Sequence, residues 1–114
     1  MTWKICIPVL EPNLDGEISP HFGRAPFFAI LEIDVGSKSI KKIEFLDNPN
    51  IENHEPGEIP SFLMSQGVNV VLCTRMGRRA MEFFEQNNIM VMSGFSGTVR
   101  DAVESFIKEK IKQQ

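Results

Sequence analysis

The chain alternates short apolar runs with polar, turn-forming stretches, and its rhythm changes midway. Trp3-Lys4-Ile5-Cys6-Ile7-Pro8-Val9 is brief and nearly all apolar, and Glu11, Pro12, Asn13, Asp15 and Gly16 follow it. That pattern predicts a strand buried near the centre of a sheet, with a loop after it. Phe27–Ile33 and Ile40–Leu46 are also strand-like, and the turn sequence Asp34-Val35-Gly36-Ser37-Lys38 separates them. They are expected to pair as an antiparallel hairpin. Asp47-Asn48-Pro49-Asn50 closes it, and a polar loop continues through Glu52, His54, Glu55, Pro56 and Gly57. From Ile59 the spacing becomes helical. Ile59, Phe62 and Leu63 share a face, Pro60 is tolerated in a first turn, and Gly67 marks the stop.

Val68–Cys73 then reads as a strand, Met76–Asn88 as a helix carrying Ala80, Phe83 and Phe84, and Ile89–Met92 as another strand. A strand-helix-strand series implies a right-handed crossover and a parallel pair. Thr98-Val99-Arg100-Asp101 has the hydroxyl and carboxylate of a capping box three residues apart. It opens a last helix with Val99, Ala102, Val103, Phe106, Ile107 and Ile111 on one face, and Lys108, Lys110 and Lys112 suit the dipole at its end. The expected architecture is β-β-β-α-β-α-β-α, an α/β fold whose mixed five-stranded sheet is flanked by helices.

Composition narrows what such a fold does. With 114 residues, a single domain over 1–114 with one core is expected. A net charge of −3 leaves no broad basic surface, so nucleic-acid binding loses its usual driving force. No apolar run approaches a membrane span, and the first ten residues suit a buried strand better than a signal peptide, so a cytoplasmic protein is expected. Cys6 and Cys73 lie far apart in apolar runs, which predicts two reduced, buried thiols. Hydrolytic machinery is hard to assemble here. There is no His-Glu-x-x-His, no Gly-x-Ser-x-Gly and no tyrosine, and the first strand has no acid for a two-metal nuclease. A non-enzymatic protein is therefore expected.

Ligands of open sheets with parallel strands bind beyond the carboxyl ends of those strands. Three loops qualify. The first carries Ile18-Ser19-Pro20-His21-Phe22-Gly23-Arg24-Ala25, in which Pro20 and Gly23 restrict and free the backbone so as to aim His21. The second is Cys73-Thr74-Arg75-Met76-Gly77-Arg78-Arg79, and the third Ser93-Gly94-Phe95-Ser96-Gly97-Thr98. Two of these run into helix N-termini, which favour anions, and Arg24, Arg75, Arg78 and Arg79 add to that preference. The candidate ligand-binding residues are His21, Arg24, Arg75, Arg78, Ser93 and Gly94, with His21 and Cys73 as metal ligands. Each has a plainer reading. These are His21 as a residue that only hydrogen-bonds within a loop, Cys73 as an inert core thiol, Arg78 and Arg79 as a solvated helix face, and Ser93–Gly97 as a flexible turn matching neither phosphate-loop fingerprint. His54, in its polar loop, is the second imidazole that could close over a metal.

Ile5-Cys6-Ile7-Pro8, Asp15-Gly16, Ser19-Pro20-His21-Phe22-Gly23-Arg24-Ala25, Asp47-Asn48-Pro49, Gly67-Val68, Gly77 with Ala80, and Gly94 fall in an order that resembles the dinitrogenase iron–molybdenum cofactor biosynthesis family, of the NifX/NafY type. The heptad Ser-Pro-His-Phe-Gly-Arg-Ala is the specific part. The resemblance implies a ribonuclease-H-like fold without nuclease activity, and a carrier of iron–molybdenum cofactor or a related iron–sulfur cluster, with His21 at the position associated with cofactor binding. It also implies partners among nitrogenase-assembly or iron–sulfur proteins. The alternative is a regulatory or scaffolding domain, outside nitrogen fixation, that binds a phosphate-like anion or a protein.

Overall fold

The computed structural model describes residues 2–48 and 58–111. Strand β1 (Thr2–Val9) runs through the middle of a sheet ordered β3-β2-β1-β4-β5, with β2 at Phe27–Asp34, β3 at Ser39–Asp47, β4 at Val70–Leu72 and β5 at Met90–Met92. Strands β1, β2 and β3 are joined antiparallel, and β1, β4 and β5 are parallel. Helices α1 (Glu58–Ser65), α2 (Arg78–Gln86) and α3 (Val99–Phe106) complete the element order. This is the mixed α/β sheet expected from the chain's periodicity.

The sheet is a middle layer. Ile5, Ile7 and Val9 of β1 join Ala29, Leu31, Val70 and Leu72 on one face, where Val99, Ala102, Val103 and Phe106 of α3 cover them. Cys6 with Phe28, Ile30, Val71 and Cys73 forms the other face, closed by Leu63 of α1 and Phe84 of α2. The period-2 alternation of β1 thus feeds two cores, and residues Ile5 to Val9 are all buried. A strand buried on both faces reads as an unbroken apolar run, which is why it was legible.

Boundaries moved where local chemistry opposed the periodicity. Helix α2 begins at Arg78, two residues later than the Met76 start expected from the sequence, because Gly77 is extended at φ −65° and ψ 151° and serves as the N-cap. Met76 packs into the second core instead. The last helix is α-helical only to Phe106, and Ile107–Ile111 wind as a π-helical turn. Gly67 does stop α1, at φ +78°. The connection after β1 is more ordered than a plain loop. Gly16 packs so tightly against the Glu11 carbonyl that a Cβ would collide with it. The returning chain then pairs Ile18 with Val9 and Glu17 with Thr98. No helix among the described residues is long and apolar enough to cross a membrane.

The capping box at α3 is formed as its sequence predicts. Asp101 N donates to Thr98 Oγ1 at 3.1 Å, and Thr98 N donates to Asp101 Oδ2 at 3.0 Å. Thr98→Ala should therefore lower stability by about 1 kcal/mol. Urea titration should show a lower midpoint with an unchanged slope.

Candidate functional site

Strands β1, β4 and β5 are parallel and end at Val9, Leu72 and Met92, so their exit loops leave from one end of the sheet. The loops are tied to one another. Cys73 N donates to Met92 O at 3.0 Å, Gly94 N to Thr74 O at 2.9 Å, and Phe95 N to Cys73 O at 3.1 Å, while Thr74 Oγ1 donates to Phe95 O at 2.8 Å. The loop after β1 joins the same end, since Ile18 N donates to Gly97 O at 2.9 Å and Val99 N to Gly16 O at 3.0 Å. The rim of three loops exists as expected.

His21 stands on the best-organised part of it. Ser19 N donates to Pro8 O at 2.9 Å, so Ser19 continues along β1 past the point where β4 has ceased to pair. The Ser19 hydroxyl donates to His21 O at 3.0 Å and accepts from His21 N at 3.3 Å. His21 itself is extended, at φ −122° and ψ 110°, and Phe22–Arg24 follow as a single 3₁₀ turn. Gly23 lies inside that turn in the ordinary negative-φ conformation, so the special backbone freedom expected of it is not used. What fixes the turn is Phe22, buried between Phe28 at 5.5 Å and Phe84 at 5.7 Å between ring centroids. The turn is nailed to the α2 side of the sheet, and the His21 and Arg24 side chains remain exposed.

Asn48 completes the turn, and sequence reading passed it over as a hairpin end. It follows β3, donates its backbone N–H to Pro26 O at 3.0 Å, and donates its side-chain Nδ2 to Gly23 O at 3.3 Å and Ala25 O at 2.9 Å. The available signal was an amide side chain between a strand and a proline, a position where Asn commonly bonds backbone.

The other candidates divide. Arg75, Arg78 and Arg79 flank Gly77 at the start of α2 and are exposed. The only ion pair among the described residues is Arg100 with Asp15 at 3.4 Å, so Arg24, Arg75, Arg78 and Arg79 have no carboxylate partner among them. Gly77 supplies no side-chain cap and the first turn of α2 holds no acid, in contrast with the closed capping box of α3. Ser93 and Gly94 belong elsewhere. They line a recess of about 240 Å³ with Met92, Phe95, Ser96, Ser105 and Glu109, which opens toward the α3 side and takes in none of the arginines or His21. That recess lies on the α3 side of the sheet, whereas Phe22 holds the His21 turn against α2 on the other side.

The structure places Cys73, the second metal-ligand candidate, in the core beneath the rim. It is wholly buried, its thiol donates to Met92 O at 3.8 Å, and burial pushes its pKa up to about 11. Cys6 beside it is raised well above the ordinary thiol range, first by burial and then by Cys73. Both are free thiols held protonated in the core. Among the described residues no three His, Cys, Asp or Glu side chains converge to hold a metal ion, and His54 lies outside those residues.

Comparison with known proteins bears on the family and the fold. Residues 3–109 match the family model described as dinitrogenase iron–molybdenum cofactor. An uncharacterized protein of Methanocaldococcus jannaschii is 30% identical over 112 residues, covering 96% of this chain and 90% of the relative. The crystal structure of PH0822 superposes with a TM-score of 0.83 at 30% identity, over 94% of this chain and 92% of that one. The apo form of the orange protein from Desulfovibrio gigas gives 0.77 at 28% identity, over 92% and 87%.

Two thiols whose pKa is raised bind protons more tightly when folded, so their contribution is intact below pH 9 and declines as pH rises through the folded values. Stability measured by urea should fall between pH 9 and about 11, by about 1.4 kcal/mol per pH unit for each thiol that ionises only on unfolding. In native protein at pH 7.5 a thiol reagent should label neither cysteine, and both should react in denaturant.

Proposed function

The chain belongs to the dinitrogenase iron–molybdenum cofactor family, and from that premise we propose that it is a non-enzymatic carrier of iron–molybdenum cofactor or a related iron–sulfur cluster. One observation carries the reading: the exposed imidazole of His21 stands on a backbone clamped by buried polar groups, at the end of the sheet where Arg24, Arg75 and Arg78 have no ion-pair partner among the described residues.

The donor set suits cargo better than a resident ion. A lone metal ion needs three or four protein ligands, whereas a preassembled cluster brings its own sulfide and needs only an anchor. Neutral imidazole at His21 would donate to one metal atom of the cluster, and the guanidinium groups would offset its negative charge. A single anchor also permits release, which a carrier requires. The likeness to a structure described as an apo form supports a fold that takes up a ligand. Acceptors would be nitrogenase-assembly or iron–sulfur proteins able to offer more ligands than one imidazole. The sheet order, antiparallel on one side of β1 and parallel on the other, supports the ribonuclease-H-like description, and β1 brings no carboxylate for nuclease metals.

Anaerobic titration of the protein with isolated iron–molybdenum cofactor, or with a preformed iron–sulfur cluster, should give a stoichiometric visible chromophore. His21→Ala should weaken it by about tenfold or more, a loss of roughly 1.4 kcal/mol. Absence of binding by the wild type rejects the carrier reading.

The second reading, a regulatory or scaffolding domain for a phosphate-like anion or a protein, draws on the start of α2, which has no side-chain cap, and on arginines with no ion-pair partner among the described residues. It requires phosphate-dependent thermal stabilisation that Arg75→Ala abolishes and His21→Ala leaves intact.

A further inference from the structure

We infer that Asn48 is a positioning residue for ligand capture at His21, an inference that rests on the carrier reading. Ser19 and Asn48, 3% and 6% exposed, are the buried polar side chains among the described residues, and both bond to the backbone of the same turn. Removing a polar side chain from water is unfavourable without a bonding partner, so their common location is informative. Ser19 holds the entry to the turn through both backbone groups of His21. Asn48 holds its exit.

The chemistry of the amide matches the task. A primary amide has two N–H donors on one nitrogen, and Nδ2 of Asn48 faces two carbonyl oxygens, those of Gly23 and Ala25. Serine has a single donor, and ionised aspartate has none. The amide is delivered by a rigid mount, since Asn48 comes one residue after the last β2–β3 pair, Phe27 with Asp47, and its own N–H extends that ladder to Pro26 O. The turn carrying His21 is thereby fastened to the β2–β3 hairpin on one side and, through Phe22, to α2 on the other. With the His21 imidazole as anchor, the direction of that ring is set by the backbone beneath it. Asn48 acts through the turn and need not touch the cluster.

Asn48→Ala, Asn48→Asp and Asn48→Ser should be compared with wild type by backbone ¹⁵N relaxation and by titration with a preformed iron–sulfur cluster, alone and combined with His21→Ala. Asn48→Ala and Asn48→Asp should lower the order of Phe22–Ala25 while leaving β1 and α2 unchanged, and should weaken cluster binding by about tenfold. Asn48→Ser, which retains one donor, should fall between them and wild type and serves if the others fail to fold. In the His21→Ala background, loss of Asn48 should add less than about twofold, because both act on one interaction. Binding within twofold of wild type in all three variants overturns the inference, as does a full tenfold further loss without His21. If wild-type protein binds no cluster, the carrier reading fails by itself. The relaxation data then decide for Asn48: a turn as ordered in the variants as in wild type overturns its positioning role.

Discussion

The burial of β1 on both faces is the constraint from which the rest of the molecule follows. From Ile5 to Val9 every side chain is buried, with odd positions under α3 and Cys6 under α1 and α2. Such a strand has no solvent-facing position on which to place a ligand group. Polar chemistry is displaced to its carboxyl end, where the chain leaves the sheet and backbone groups need new partners. The rim is therefore a consequence of the packing. Its loops bond to one another because β4 and β5, at three residues each, end too soon to supply those partners.

Helix ends differ for a related reason. The N-terminus of α3 abuts the loop returning from β1, where Arg100 N donates to Leu14 O and Val99 N to Gly16 O, and its remaining donors are closed by the capping box. The start of α2 has neither a side-chain cap from Gly77 nor an acid in its first turn, and Arg78 and Arg79 stand there against the helix dipole. An arrangement that opposes the dipole gains from a negatively charged guest. Side-chain charge and backbone donors then act in the same direction.

Much of this was readable before any coordinates. Strong periodicity marked every strand and helix, and Thr98 with Asp101 announced its cap, because these signals are local. The rim was legible too, since parallel strands imply where loops gather. What failed was side-chain geometry at the ends of elements. Gly77 looked like helix interior but adopts the extended cap conformation, and Gly23 looked like a left-handed turn but sits in a 3₁₀ one. Which face of the sheet each loop serves is not a local signal: Ser93 and Gly94 line a recess on the α3 side, while the His21 turn packs through Phe22 on the α2 side. The role of Asn48 was hidden because its partners, Gly23 and Ala25, are 25 and 23 residues away.

Cys73 shows why residue type alone misleads at such a rim. It is next to the loop, it is a soft ligand by chemistry, and its backbone bonds bridge β4 and β5. Yet ligation requires the thiolate, and burial holds this thiol protonated with its hydrogen directed at Met92 O. Drawing it to a cluster would expose the apolar face it completes with Cys6, Phe84 and Val71. The imidazole of His21, exposed on a clamped surface turn, has neither obstacle, since it lies outside both cores. Packing and presentation are thereby divided: the core keeps its thiols, and the turn between Ser19 and Ala25 holds the exposed imidazole.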